Sequence, residues 1–172
     1  MSTASTHIRI LSLDPINRGL GFVVLEGPEC LIDWGVVHAR TDKHRRCLER
    51  VEKLMERYQP RTVVIEDTRQ GSRRGKRVQR LLSSVVMLSA KRHVKLRRVS
   101  RSQVVRSFSP LGGSTKHRIA EIVATRFPEL RAQLPAQRKP WQSESETMAI
   151  FDAVAFALAI PRRPKPARQL SV

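Results

Sequence analysis

The chain has 172 residues, with 33 lysines and arginines against 15 aspartates and glutamates, which gives a formal net charge of +18. This length suits a single domain that buries its own core. So large an excess of basic residues indicates a polyanionic partner, most simply nucleic acid. No apolar run reaches transmembrane length, and the two cysteines have no CxxC spacing. We therefore expect a cytoplasmic protein with reduced thiols and no membrane role.

The first predicted structure is a pair of antiparallel strands over residues 8–25, connected by a tight turn. Isoleucine and leucine dominate the first strand, whose apolar run ends at Asp14. Pro15, Asn17 and Gly19 follow and are typical of a turn. A carboxylate at the end of a buried strand is costly unless a partner or a cation compensates its charge. Asp14 therefore marks a candidate site.

Strands and helices alternate after this hairpin. The predicted elements are, in order, a strand at 31–37, a helix at 41–58, a strand at 61–66, a helix at 78–90 and a strand at 94–99. The strand at 61–66 ends on a second acid, Glu66. Because a helix precedes it, this strand can lie parallel to the first strand of the chain.

Helices complete the prediction, at residues 100–106, 115–127 and 143–160. From Met148 onward the last of them is apolar on all sides except at Asp152. A helix that is apolar all round is buried, so Asp152 is expected to face the sheet. The predicted fold is therefore α/β, a mixed five-stranded sheet with the first three strands antiparallel and helices on both faces.

Three acids, Asp14, Glu66 and Asp152, thus end or interrupt apolar elements. Buried carboxylates brought together repel one another, and a bound divalent cation relieves the repulsion. Oxygen ligands of this kind favour Mg²⁺ or Mn²⁺. Two such cations support phosphodiester hydrolysis by activating water and stabilising the leaving oxygen. The alternative for Asp152 is an ion pair with a buried arginine.

The segments LSLDP, VVIED and FDAVAFALA carry these acids, and their order and spacing resemble the RuvC family of Holliday-junction resolvases over about residues 8–160. The resemblance implies a ribonuclease-H-like fold. It also implies that Asp14, Glu66 and Asp152 are catalytic and hold Mg²⁺, for which Mn²⁺ can substitute, with two ions in each active site.

The family has a fourth acid one helical turn before the last aspartate, and this chain has Ala149 there. We expect Glu146 to supply the missing carboxylate, as a metal ligand and catalytic residue, and Glu144 is the alternative. Glu146 can instead belong to a capping box with Ser143 at the start of the last helix.

Basic residues expected to bind DNA lie mainly in an acid-free run over residues 69–80. They are Arg69, Arg73, Arg74, Lys76, Arg77 and Arg80. The resemblance adds Arg106 and Lys116, since the segment VVRSFSPLGGSTKHRIA places them where the family has two basic residues near the scissile phosphate. Lys116 is also a candidate catalytic residue.

Together these features predict a Mg²⁺-dependent endonuclease that resolves four-way DNA junctions in recombination and repair. Paired cuts require two active sites, so we expect a homodimer, with the helix at 78–90 as its interface. Residues 1–160 would form one RuvC-like nuclease domain and residues 161–172 a basic, flexible tail. Two alternatives remain: a nuclease of the same fold that acts on RNA or RNA–DNA hybrids, and a non-catalytic module that binds nucleic acid.

Overall fold

The structure is a computed structural model that describes residues 8–69 and 73–161. The strands are β1 (Arg9–Ile16), β2 (Gly19–Glu26), β3 (Cys30–His38), β4 (Thr62–Glu66) and β5 (Lys95–Val99). The helices are α1 (Lys43–Tyr58), α2 (Lys76–Lys91), α3 (Arg101–Phe108), α4 (Lys116–Arg126) and α5 (Met148–Leu158), with short 3-10 helices at Ser109–Leu111 and Pro128–Gln133. The predicted basic tail lies outside the described residues from position 162 onward.

The strands form one five-stranded sheet in the order β3-β2-β1-β4-β5. β1 pairs antiparallel with β2, and β2 pairs antiparallel with β3. β4 lies parallel to β1 on its other side, and β5 lies parallel to β4. The fold predicted from the sequence is therefore confirmed. The strand that carries Asp14, β1, lies at the centre of the sheet.

Helices cover both faces of the sheet, and alternation along β1 assigns its side chains to one face or the other. Leu11 and Leu13 pack with the buried residues of α1 and α2. Asp14 alternates with them and faces the opposite layer, which contains α3, α4 and α5. Val64 of β4 packs in this second layer, and Glu66 shares its face. The two strand acids therefore point toward α5.

The last helix begins at Met148 and not at residue 143 as predicted. Residues 142–145 are exposed and polar, so this segment offers no apolar face to bury, and burial provides most of the stability of a helix in a protein. The alternative given for Glu146, a capping box with Ser143, is consequently wrong, because the N-cap residue is Thr147. None of the helices in the described ranges is both long and apolar enough to cross a membrane.

Candidate active site

Three buried acids from different elements meet at one end of the sheet. Asp14 of β1 is 1% exposed, Glu66 of β4 is 8% exposed and Asp152 of α5 is 4% exposed. Two arginines connect them, since Arg74 contacts Asp14 and Glu66 while Arg101 contacts Glu66 and Asp152. The structure thus brings together the three acids that the sequence singled out, and we call them with these arginines the acid cluster.

Arg74 bridges the two strand acids. Its Nη2 donates to Asp14 Oδ1 at 2.8 Å and its Nε donates to Glu66 Oε2 at 2.7 Å. Its Nη1 also donates to the backbone carbonyl of Pro15 at 3.2 Å. The sequence placed Arg74 in a run of phosphate-binding residues, but its guanidinium lies against the acids.

Arg101 bridges Glu66 and the helix acid, Asp152. Its Nη1 and Nη2 donate to the two carboxylate oxygens of Asp152 at 2.6 and 3.0 Å. Its Nε lies 3.4 Å from Glu66 Oε1. The alternative noted for Asp152, a pair with a buried arginine, is therefore present. The sequence did not identify Arg101 as this arginine. A signal was present, because Arg101 closely follows β5, whose last residue, Val99, pairs with Glu66 and so brings the chain to the acids.

Lys116 joins the cluster from the first turn of α4. Its Nζ lies 2.9 Å from Asp152 Oδ2 and donates to both oxygens of Glu144, at 2.8 and 2.9 Å. The hydroxyl of Thr115 caps this helix by accepting from the backbone N–H of Arg118. Lys116 therefore lies beside the acids, where the resemblance expects a basic residue. Arg106, the other residue of that pair, is exposed on α3.

The two candidates for the fourth acid have different partners. Glu146 binds His38 at the end of β3, with 2.7 Å between its Oε2 and His38 Nδ1, and its Oε1 lies 3.9 Å from Arg18 Nε. Glu144 instead shares Lys116 with Asp152. Position 149 is filled by an alanine packed so closely on β2 that a Cβ added to Gly21 would lie 2.4 Å from Ala149 Cβ.

A cleft of about 620 Å³ opens beside the acid cluster. Its walls are Ile16, Asn17, Arg18, Arg74 and the segment of residues 143–146. Arg74 lies in both the cleft wall and the acid cluster, so a molecule in the cleft would approach Asp14 and Glu66. The β1–β2 turn contributes the exposed Asn17 and Arg18 to this wall.

The remaining basic residues of the 69–80 run have varied surroundings. Arg69 forms two hydrogen bonds of 2.9 Å with Asp67, and these bonds hold the pKa of Asp67 at about 2. Arg77 donates to the backbone carbonyl of Ile16 and so supports the end of β1. The exposed members of the run are Arg73, Lys76 and Arg80.

Burial and charge act in opposite directions on the acids. Burial, followed by repulsion from Asp152, raises the pKa of Asp14 to about 7 despite the nearby charges of Arg74 and Arg101. Burial also raises the pKa of Asp152, but the hydrogen bonds and charges of Arg101 and Lys116 outweigh it and leave that pKa below its ordinary value. The cationic side chains therefore neutralise Asp152 more completely than Asp14.

A divalent cation matches the chemistry of the cluster, since carboxylate oxygens are its preferred ligands. However, guanidinium and ammonium nitrogens already lie between these oxygens, and residues 8–69 and 73–161 contain no group of three His, Cys, Asp or Glu side chains in a metal-binding arrangement. A cation can bind here only if it displaces at least part of these contacts.

Comparisons with known proteins give the same fold. The structure of T. thermophilus RuvC in complex with Holliday junction substrate is similar to this chain with a TM-score of 0.66 and 20% identity, over 89% of this chain and 92% of that chain. A second Thermus thermophilus RuvC structure gives a TM-score of 0.64 and 22% identity, over 88% and 92%. No family model and no curated protein sequence matches the chain. The resemblance drawn from the three acids is thus confirmed for the fold.

Proposed function

We propose that this protein is a Mg²⁺-dependent, structure-selective endonuclease that resolves four-way DNA junctions by paired phosphodiester hydrolysis. The observation that carries the proposal is the meeting of Asp14, Glu66 and Asp152 in one buried cluster, on a fold shared with RuvC. The net charge of +18 supports a polyanionic substrate. We place the activity in recombination and repair, in the cytoplasm, and assign it to a single domain of residues 1–160.

In this proposal Asp14, Glu66 and Asp152 hold the cation, and the fourth acid is Glu146 or Glu144. The bound cation, Mg²⁺ or Mn²⁺, would activate water and stabilise the leaving oxygen. Arg74 borders the cleft and contacts two of the acids, so its guanidinium can move from them to an incoming phosphate.

We also assign Lys116 a catalytic role, because its ammonium already lies 2.9 Å from Asp152 Oδ2. From the first turn of α4 its side chain is close enough to donate a hydrogen bond to a phosphate oxygen bound next to the acids. Arg69, Arg73, Lys76, Arg77, Arg80 and Arg106 are proposed to bind the DNA backbone. The exposed residues among them, Arg73, Lys76, Arg80 and Arg106, are the ones best available to phosphates.

Paired cleavage of a two-fold symmetric junction requires two sites, so we propose a homodimer. Most apolar residues of α2 pack inward, but Met87 is 72% exposed on its outer face. A dimer through α2 predicts that Met87→Arg lowers the mass measured by light scattering to that of a monomer, whereas Val105→Arg, an exposed change on α3, leaves the mass unchanged.

The test is a cleavage assay on a panel of substrates, with Mg²⁺ and with EDTA. The panel contains a four-way junction, a linear duplex, a flap, an RNA–DNA hybrid and single strands. We expect Mg²⁺-dependent paired cuts in the junction and much slower cleavage of the duplex. Preferred cleavage of the hybrid would instead support a ribonuclease-H-like nuclease acting on RNA.

A second candidate is a non-catalytic module that binds nucleic acid. Two observations favour it: Ala149 replaces the fourth acid, and Arg74 and Arg101 already neutralise the acids. Asp14→Asn separates the two candidates. In the nuclease it abolishes cleavage and leaves junction binding intact, whereas a binding module leaves every junction uncut and shows no change in Mn²⁺ affinity on this substitution.

A further inference from the structure

Arg101 is held by more than its contacts with acids. It is the first residue of α3, directly after the N-cap Ser100, whose side chain accepts from the backbone N–H of Gln103 while Gln103 Oε1 accepts from the backbone N–H of Ser100. This capping box fixes the backbone at the start of the helix. Beyond it, the Arg101 guanidinium lies 4.9 Å from the centre of the Phe156 ring on α5. Backbone capping and stacking thus hold the cation in one position.

The acid that Arg101 holds lies on the same helix as the ring. Asp152 stands one turn before Phe156 on α5, and both of its oxygens receive guanidinium N–H groups. Lys116 contacts the Oδ2 atom as well. Asp152 is therefore paired with two cations, Arg101 and Lys116, and a metal would compete with both for its oxygens.

Arg74 differs from Arg101 in its attachment. It lies in the segment between β4 and α2, two residues before the helix starts, and its side chain forms part of the cleft wall. A phosphate in the cleft can therefore compete for Arg74, and a cation there can compete with Arg74 for Asp14 and Glu66. Arg101 instead begins α3, and its guanidinium lies between Glu66 and Asp152.

Position 149 is a second feature that distinguishes the Asp152 end of the acid cluster from the Asp14 end. The carboxylate that the resemblance expects one turn before Asp152 is an alanine pressed against Gly21. Asp152 consequently has an alanine where the resemblance expects a second carboxylate on α5, while the Arg101 guanidinium contacts both of its own oxygens. Arg101 therefore already supplies the positive charge that a second divalent cation would bring to the Asp152 end of the acid cluster.

We propose that the Arg101 guanidinium is a built-in cation of the acid cluster, held between Glu66 and Asp152, and that the protein therefore binds a single divalent cation at Asp14 where the resemblance implies two. This inference rests on the proposed function, because it concerns how many cations the nuclease site holds. Arg101 acts here as a positioning residue. It orients the Asp152 carboxylate and places a positive charge between Glu66 and Asp152.

The experiment is a Mn²⁺ titration of the full chain without DNA, followed by electron paramagnetic resonance of the free ion. We expect one bound ion per chain for the natural sequence and two for Arg101→Gln. Arg101→Lys keeps the positive charge and should stay at one. The matched control is Arg92→Gln, which removes an arginine paired with Glu56 on the exposed surface and should also stay at one.

A count of two in the natural sequence overturns the inference, and so does a count of one in Arg101→Gln. If Arg101→Gln fails to fold by circular dichroism, the natural chain and Arg101→Lys still decide, since two ions in either refute it. A count of zero in the natural chain, together with no cleavage of any substrate, refutes the proposed nuclease itself.

Cleavage rate gives an independent readout on the same protein. With one cation per site, a doubling of Mg²⁺ well below saturation raises the rate about twofold, whereas two cooperating cations raise it about fourfold. A fourfold response overturns the single-cation site and leaves the nuclease function standing, so the two failures are distinguishable.

Discussion

Replacing Asp14 with asparagine should stabilise the protein in the absence of metal, although it removes a central residue of the site. Burial and repulsion from Asp152 raise the pKa of this acid from 3.8 to about 7. The folded state therefore binds the proton more tightly than the unfolded state, and the charged form lowers stability. This cost is absent below pH 4, grows as the pH rises through the interval between the two pKa values, and is complete above pH 7.

A shift of this size corresponds to roughly 4 kcal/mol at pH 8, from about 1.4 kcal/mol for each pKa unit. Asparagine keeps an oxygen for the N–H of Arg74 but weakens that bond, since the acceptor is no longer charged. We therefore expect a net gain of about 2–4 kcal/mol, or roughly 5–15 °C in Tm for a chain of this size.

Urea denaturation in EDTA at pH 8 and pH 5 measures this effect. At pH 5 the carboxyl of the natural protein is already protonated when folded, so the advantage of Asp14→Asn should fall by about 2–3 kcal/mol. An advantage that is equal at both pH values would refute the reasoning, and so would a variant that is less stable at pH 8. Asp67→Asn is the control with the opposite sign, because Arg69 lowers the pKa of Asp67 and its loss should destabilise at pH 8.

Two further predictions concern packing and DNA binding. A Cβ at Gly21 would overlap Ala149, so Gly21→Ala should destabilise by about 1–3 kcal/mol in urea denaturation, while Gly75→Ala, with open space around it, should change stability by less than about 1 kcal/mol. Equal effects would contradict the close packing of α5 on β2. Arg73→Ala and Arg80→Ala should each weaken junction binding and reduce the salt slope of log affinity by about 1; an unchanged slope would exclude that residue from the phosphate contacts.

The sequence predicts the fold well because its signals are local. Alternating apolar residues and helix-length apolar stripes give the elements, and Asp14 and Glu66 follow from acids at the ends of apolar strands. Asp152 is predictable because an isolated carboxylate in an apolar helix must face the sheet. Each of these inferences needs only neighbouring residues and the period of the element.

The arginines were harder to predict, for a physical reason. A guanidinium at the end of a long side chain can pair with any acid within its reach, and the local pattern does not specify which. The sequence therefore treats Arg74 as one member of a basic run and gives no special place to Arg101. The start of α5 was missed because residues 143–147 carry serine and glutamate in a pattern that also suits a helix N-terminus.

Which acid completes the carboxylate set can be decided with a matched pair of substitutions, Glu144→Gln and Glu146→Gln. Glu144 and Asp152 both contact the ammonium of Lys116, so the Glu144 carboxylate already lies beside the acid cluster and close enough to take part in holding a cation there. We expect Glu144→Gln to weaken Mn²⁺ binding about tenfold, as for other groups that orient metal ligands. Glu146 is held by His38 at the end of β3, and its loss should change the affinity by less than about twofold. The reverse ranking, measured by the same Mn²⁺ titration, would make Glu146 the fourth acid and would require it to leave His38 when the cation binds.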